Sequence, residues 1–288
     1  LKMKIGISGA GGHLGTAVLK RLRELSGEHE VVGISRSPQS VQYADEARFG
    51  DYDAQGSLRE AYLGLDRLLI IPTLDLRYGA RARQLVHAVD AALSAGVGHI
   101  ILISDIGTRE EPEPHIGAAS WVGEQRLIKS APRWTILRAN YFMESFAREV
   151  ALSTVTGRMA ELGDGRVAFV SRDDVAAAAA AILVGTGHSG AIYNATGTEA
   201  LSIADRAHLI EQVAGKPINV IQTSMEELRQ ELELAQIPEE YLALALEIKR
   251  KTSEGVYDLV TGDVERLSGR RPISLGDVLK NYLVESAL

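Results

Sequence analysis

Cysteine is absent from the sequence, which excludes disulfide cross-links and thiolate chemistry and suits a reducing, cytoplasmic setting. No apolar run reaches membrane-spanning length; the nearest, Ala176 to Val184, is too short and reads as a buried helix. A strand begins almost at once, so no signal peptide is expected. Extended basic patches are missing as well. The densest stretches, Lys249 to Thr252 and Ser268 to Pro272, are short, and the net charge is −7. That argues against a nucleic-acid partner, whose phosphates call for clustered Lys and Arg. Seven histidines show no zinc-pair spacing, and no cysteine can help them, so no metal site is expected. A G-x-S-x-G elbow is also missing, which leaves a hydrolase unsupported.

What is present is an ordinary soluble globular composition over 288 residues, 45% apolar and 24% charged, enough for one domain or two closely joined ones. The first half alternates strand and helix patterns. Strands are expected at Lys4–Ser8, Val31–Ser35, Ala47–Phe49, Leu68–Pro72, His99–Ser104 and Thr135–Arg138. Helices are expected at Leu14–Leu25, Ser57–Leu65 with Ser57 as N-cap, Ala80–Ala95 ending at Gly96, and Ser120–Lys129 before Pro132. This βαβα rhythm predicts an α/β fold: a doubly wound parallel Rossmann sheet, with ligand beyond the carboxyl ends of the strands where the winding reverses. "GDGRVAFVSRDDVAAAAAAILVG" then reads as a turn, a strand and an Ala-rich helix, and "GAIYNATG" as a further strand. From Ser202 the pattern is mostly helical, with Ser274 an expected N-cap. The division expected is a dinucleotide-binding domain over 1–150 and a smaller, mostly helical C-terminal lobe over 151–288, some of whose segments return to the first sheet.

Between the first strand and helix, Gly9, Gly12 and Gly15 stand at three-residue spacing. Gly9 permits a tight turn, Gly12 lets the backbone approach a diphosphate, and Gly15 allows close helix–strand packing. The unpaired N–H groups of the first helical turn then face negative charge. A structural loop can look the same, but the order of strand, loop and helix favours a dinucleotide. The second strand ends "VVGISRSPQS", with Arg36 where an NAD-selecting chain puts Asp or Glu. A carboxylate repels a 2′-phosphate and a guanidinium offers it forked donors, so NADP(H) is favoured over NAD(H). Asp51, in "FGDYDAQGSL", either accepts from the adenine amino group or serves as a turn residue or N-cap.

"ISGAGGHLG", "ISRSP", "GDYDAQGSLREAYLGLDRLLII", "AGVGHIILIS", "TILRANYFMESF", "RDDVAAAAA" and "LSGRRPISLGDVL" together resemble the NmrA-like branch of the atypical short-chain dehydrogenases, and within it the NADPH:quinone oxidoreductase type 2 and triphenylmethane reductase subgroup. The resemblance covers nearly the whole chain, and "LRANYFMESF" is its most specific part. It implies a Rossmann domain and a small C-terminal domain with cofactor and substrate in a cleft between them. By position, Gly9, Gly12, His13 and Leu14 match the family's pyrophosphate loop and Arg36 its NADP-selecting arginine. Pro72 and Thr73 match the loop flanking the adenosine and ribose. Ser104 and Asp105 match the strand end near the nicotinamide. Asn140, Tyr141 and Phe142 match the segment beside nicotinamide and substrate.

Ordinary short-chain dehydrogenases protonate an alkoxide with a Tyr whose pKa is lowered by a Lys four positions on. None of the nine tyrosines here has Lys at that spacing. The corresponding helix reads "SWVGEQRLIK", with Ser120 and Glu124 in those places; Glu124 reads as a helix-surface or hydrogen-bonding residue. A quinone that accepts hydride becomes a delocalised phenolate, far less basic than an alkoxide, and water protonates it. Such a site depends on stacking and proximity more than on an acid. Planar electron-poor acceptors therefore fit, with Tyr141 and Phe142 as walls and Asn140 as donor to a substrate oxygen. Core packing for the two rings, and a turn cap for Asn140, are the plainer alternatives. His115 lies in the acidic loop "EEPEPHIG", which could fold over the cleft, and Asp173 and Asp174 start the Ala-rich helix, where they complement its dipole.

The expected activity is NADPH-dependent hydride transfer to quinones or to azo or triphenylmethane dyes. A non-catalytic NADP-binding redox sensor of the NmrA type is the alternative, and an isoflavone-reductase-like enzyme fits less well because Glu124 stands where those enzymes have Lys. The partner expected is a small molecule, with no nucleic acid or membrane, and a homodimer is compatible with the sequence.

Overall fold

A computed structural model describes residues 2–25, 29–112, 115–234 and 236–285. The strands are β1 (Lys4–Ser8), β2 (Glu30–Ser35), β3 (Glu46–Phe49), β4 (Arg67–Ile70), β5 (His99–Asp105), β6 (Trp134–Ala139), β7 (Arg158–Glu161), β8 (Ala191–Ala195) and β9 (Asn219–Gln222). The helices are α1 (His13–Leu25), α2 (Gln55–Tyr62), α3 (Ala80–Ser94), α4 (Ile116–Ser130), α5 (Met143–Thr156), α6 (Arg172–Val184), α7 (Ile203–Ala214), α8 (Met225–Leu234), α9 (Glu239–Ser253), α10 (Asp263–Ser268) and α11 (Leu275–Glu285). They form two compact units. One comprises 1–139, 172–195 and 263–269, the other 140–171, 196–262 and 270–288.

The first unit carries a seven-stranded sheet of order β3-β2-β1-β4-β5-β6-β8, parallel throughout. Near-continuous apolar runs such as Leu68–Ile70 and Ile100–Ile103 are buried, as a sheet covered on both faces requires. One face packs α2, α3 and α4; the other packs α1, α6 and α10. The alanines of α6 from Ala176 to Ala180 are almost fully buried, and their small side chains let α1 lie close. The strand order reverses between β1 and β4, so the loops leaving these two strands border the crevice in which open α/β sheets bind ligands.

Two local expectations need correction in this unit and its neighbour. Ser57 is not an N-cap: α2 starts earlier, at Gln55, with Ala54 in the cap position. Ser57 instead donates from its hydroxyl to the Ala54 carbonyl at 2.7 Å and accepts the Asp51 N–H at 3.0 Å, so it ties the preceding turn. The strand expected in "RVAFV" is only a pair of isolated bridges, Val167 to Leu201 and Val170 to Phe142, although Val167, Phe169 and Val170 are buried as a strand would bury them. The Ser274 cap is present, accepting the Asp277 N–H at 3.2 Å.

The second unit is mostly helical, with β7 and β9 paired in parallel. Its core gathers Met143, Phe146 and Val150 of α5, Met159 of β7, Phe169, Ile210 of α7, and Leu275 and Leu279 of α11. A smaller cluster joins Leu228 of α8 to Leu242 and Leu246 of α9.

Candidate functional site

The turn after β1 is built from the residue types its backbone demands. Gly9 has φ +91°, a region costly for any side chain. The N–H groups of Gly9 and Ala10 both donate to the Ile34 carbonyl, at 3.1 and 3.0 Å, which fastens the loop to β2. A Cβ on Gly15 would stand 2.3 Å from the Gly9 carbonyl oxygen and 2.8 Å from Ala10 Cα, so α1 approaches the loop only because Gly15 has no side chain. A Cβ on Gly12 would meet nothing nearer than 3.5 Å. The bareness of Gly12 thus answers no internal need and leaves space above the turn.

Gly12 and His13 are exposed, while Leu14 turns inward. Among the described residues, the N–H groups of Gly11, His13 and Leu14 have no acceptor. Donors of this kind at the start of a 13-residue helix suit a diphosphate. Arg36, just past β2, is exposed, and its guanidinium has no partner among the described residues, unlike Arg21, Arg23 and Arg48, each paired with a carboxylate. Asp51 accepts the Asp53 N–H at 3.0 Å and so forms its own turn. The Tyr52 hydroxyl donates to the Ile71 carbonyl at 2.9 Å and holds that turn to the end of β4. Burial raises the Tyr52 pKa.

Pro72 and Thr73 follow β4, half-buried. The Thr73 hydroxyl donates to Gln84, whose amide in turn donates to Asp75 at 2.9 Å and Asp53 at 3.2 Å. At the end of β5, Ser104 donates to Glu124 at 2.6 Å. Glu124 is fully buried rather than on the helix surface, because Arg138 of β6 binds both its oxygens, Nε at 2.9 Å and Nη2 at 2.5 Å. Beside this pair, the Ser120 hydroxyl donates to the Asp105 carboxylate, and Arg81 Nη2 lies 3.4 Å from that carboxylate and 3.5 Å from Ser120 Oγ. Ser120 is 1% exposed. His115 is half-buried, but Glu113 and Pro114 of the same loop lie outside the described residues.

In the second unit, Asn140 is buried and its amide is committed to backbone. It donates to the carbonyls of Tyr257 at 3.1 Å and Leu259 at 3.4 Å and accepts the Tyr141 N–H at 2.7 Å. The Tyr141 ring lies between Phe169 and Tyr257, with centroids 5.4 and 5.8 Å away. Its hydroxyl donates to Glu149. Burial, reinforced by the Glu149 charge, pushes the phenol well above its ordinary pKa. Lys249 bridges Glu149 and Glu161, 2.9 Å from each, and Arg206 closes the network on Glu161 at 3.1 Å. Burial opposes the charge on Glu149, but Lys249, the Tyr141 hydroxyl and Arg206 together outweigh it and keep the carboxyl below its usual range. Phe142 stands next, half-buried, at the N-cap of α5.

The fold thus places Gly9, Gly12, His13, Leu14 and Arg36 around one turn, Asp51 with Pro72 and Thr73 along the neighbouring strand ends, and Ser104 with Asp105 at the end of β5. Asn140, Tyr141 and Phe142 belong to the other unit. Sequence reasoning missed Arg81, Arg138, Glu149 and Lys249. Arg138 was legible as a cation one residue inside the end of a buried strand; the others carry no local signal.

A family model described as NAD(P)H-binding matches residues 9–185. Quinone oxidoreductase 2 of Escherichia coli K12 is 29% identical over 223 residues, 74% of this chain and 76% of that protein. Among solved structures, the E. coli NADPH-dependent quinone oxidoreductase complexed with NADPH superposes with TM-score 0.89 at 25% identity, over 97% of this chain and 99% of that one. Triphenylmethane reductase of Citrobacter sp. complexed with NADP(H) superposes with TM-score 0.88 at 26% identity, over 96% of this chain and 99% of that one.

Proposed function

The chain belongs to the NAD(P)H-binding family, in its NmrA-like atypical short-chain dehydrogenase branch, and is an NAD(P)H-dependent oxidoreductase; from that premise we propose that it takes NADPH and reduces quinones or other planar, electron-poor acceptors without a Tyr–Lys proton donor. One observation carries the reading. No tyrosine has Lys four positions on, and the tyrosine best placed by resemblance, Tyr141, has its hydroxyl tied to Glu149 with its pKa raised. A phenol held neutral in this way is a poor acid, so the reaction it serves is one that needs none.

The chain's own residues then divide the work. The free N–H groups of Gly11, His13 and Leu14 hold the pyrophosphate, and Gly12 gives it room. The Arg36 guanidinium takes the 2′-phosphate and so sets the choice of NADPH. Thr73, steadied by Gln84, and Ser104, steadied by Glu124, line the path towards the nicotinamide ribose. Within the second unit Tyr141 is itself held in place: its N–H donates to the Asn140 amide oxygen and its hydroxyl to Glu149, which Lys249 pairs, so the aromatic face it offers is already ordered. When bound, the reduced nicotinamide supplies the hydride. A quinone so reduced leaves as a weakly basic phenolate, which water protonates. The acceptor class of the relatives named above, quinones and triphenylmethane dyes, supports the same reading. The cytoplasm is the compartment we assign, since a cysteine-free reductase spending NADPH suits a reducing milieu.

The test is direct. Purified protein is mixed with NADPH and a short-chain benzoquinone, a cationic triphenylmethane dye or an azo dye, and oxidation of the cofactor is followed by absorbance. Turnover with at least one is expected. Tight binding of both NADPH and NADP⁺ without turnover on a broad acceptor panel would refute the reductase assignment and favour a redox sensor.

A further inference from the structure

We propose that Arg81 receives the negative charge that develops on the reduced acceptor, and thereby makes the site favour acceptors that become oxyanions over acceptors that start as cations; this rests on the reductase reading above. Arg81 is the second residue of α3, a 15-residue helix, so the positive end of the helix dipole adds to its charge. Its side chain reaches the carboxyl end of β5, the strand end carrying Asp105. There it is held at 14% exposure yet hardly used. Nη2 is 3.4 Å from Asp105 Oδ2 and 3.5 Å from Ser120 Oγ, both long for a charged pair. Nε is buried without a partner, and Nη1 makes no hydrogen bond among the described residues.

Arg138, in the same unit, is the useful contrast. It spends Nε and Nη2 on the two oxygens of one carboxylate. Arg81 has a carboxylate within reach, but that carboxylate is engaged more closely by the Ser120 hydroxyl. Ser120 thus partly satisfies Asp105 and leaves the guanidinium with donors to spare. Unspent donors on a largely buried cation are costly, and an acceptor oxygen relieves that cost. Ser120 stands on the helix where ordinary short-chain dehydrogenases keep their tyrosine. In place of an acid, this chain puts a serine that frees a cation.

The redox balance shows why a cation suffices. Hydride transfer from NADPH delivers two electrons and one proton to a quinone, giving NADP⁺ and the hydroquinone monoanion; water supplies the second proton. The new charge sits on oxygen, where a guanidinium stabilises it. A cationic triphenylmethane dye takes the same hydride at its central carbon and becomes neutral. A guanidinium beside it disfavours the bound dye and gains nothing from the product.

Two variants and two readouts test this. Arg81→Met is expected to lower kcat with benzoquinone by about 10- to 100-fold, the worth of a charge-assisted hydrogen bond, while turnover of the cationic dye is unchanged or rises. Arg81→Lys should restore much of the quinone rate. Independently of turnover, calorimetry with 2,4-dichlorophenolate on the NADP⁺-loaded protein should show binding that Arg81→Met weakens by about tenfold or more, with NADP⁺ affinity preserved. Equal losses for quinone and dye, or phenolate affinity that does not depend on Arg81, would overturn the proposal. A wild type that reduces neither acceptor sinks the reductase reading instead, and the phenolate titration still decides the role of Arg81.

Discussion

Replacing Arg36 by alanine isolates the contribution of a single phosphate. The side chain is exposed and has no partner among the described residues, so its removal should leave the unfolding free energy within about 0.5 kcal/mol of wild type, as for an ordinary surface change. Binding is another matter. A 2′-phosphate carries close to two negative charges and accepts forked donors from a guanidinium. A hydrogen bond to a charged group contributes about 1.5–3 kcal/mol, and the exposure of Arg36 to solvent and salt argues for the lower half of that range. About 2 kcal/mol corresponds to roughly thirtyfold in affinity. NADH lacks the phosphate, so its affinity should hardly move, and the ratio of the two dissociation constants is the quantity to measure. Titrations of wild type and Arg36→Ala with NADPH and NADH, by quenching of the two tryptophans or by calorimetry, supply all four constants. The interaction is screened, so the wild-type preference should also shrink between about 0.1 and 1 M salt, as the Debye length falls from about 10 to 3 Å. A preference that survives the substitution within about twofold, or a wild type that prefers NADH, would refute the assignment of Arg36.

The two glycines of the loop should part company. Gly15→Ala forces a Cβ to 2.3 Å from a backbone oxygen that cannot yield, and should cost about 1–3 kcal/mol in denaturant unfolding as well as cofactor binding; Gly12→Ala has internal room and should lose dinucleotide affinity at nearly unchanged stability. Glu124→Gln leaves Arg138 facing a neutral amide in place of a buried carboxylate, with an expected loss of about 3 kcal/mol, measured by chemical denaturation. His99 gives a pH test. Burial, then the Arg67 and Arg133 charges, press its pKa down to about 4. Below the usual value of about 6.5 the unfolded chain therefore binds a proton that the folded chain refuses, so the stability present above pH 6.5 declines towards pH 4, by up to about 3 kcal/mol. His99→Gln should flatten that part of the stability–pH curve, and an unchanged acid limb would exclude His99 as its source.

The parallel sheet was legible because burial on both faces writes itself as short apolar runs, and Leu68–Ile70 and Ile100–Ile103 have no other use for that pattern. Helix starts were less legible. α2 begins before its serine, since Ser57 closes the turn on Asp51 rather than capping the helix, and both uses ask for the same residue type. β7 and β9 were missed because each is only four residues long, and their pairing joins segments some sixty residues apart, which leaves no periodicity to read. The "RVAFV" segment shows the reverse error: its burial is that of a strand, but its partners Leu201 and Phe142 each meet it at a single bridge.

The candidate site divides along the same physical line. Whatever depends on the backbone of one turn could be read locally: the conformation of Gly9, the closeness enforced by Gly15, the helix start that leaves donors unspent. What depends on side chains meeting across the fold could not. Asn140 looked like a donor for substrate, yet its amide reaches the carbonyls of Tyr257 and Leu259, more than a hundred residues on. Tyr141 looked like a bare wall, yet its hydroxyl meets Glu149 and, beyond it, Lys249. That lysine sits in a stretch that reads as a small basic patch, but two of its cations, Lys249 and Lys251, are largely buried among carboxylates. Tyr141 and Lys249 are not the ordinary pair, whose places Ser120 and Glu124 take; they meet only through Glu149, which lies between them in the hydrogen-bond chain. In the ordinary pair the ammonium lowers the phenol's pKa; here burial, reinforced by the Glu149 charge that lies between phenol and ammonium, raises it. A phenol so placed is a weaker acid than a free one, the opposite of what the ordinary arrangement achieves.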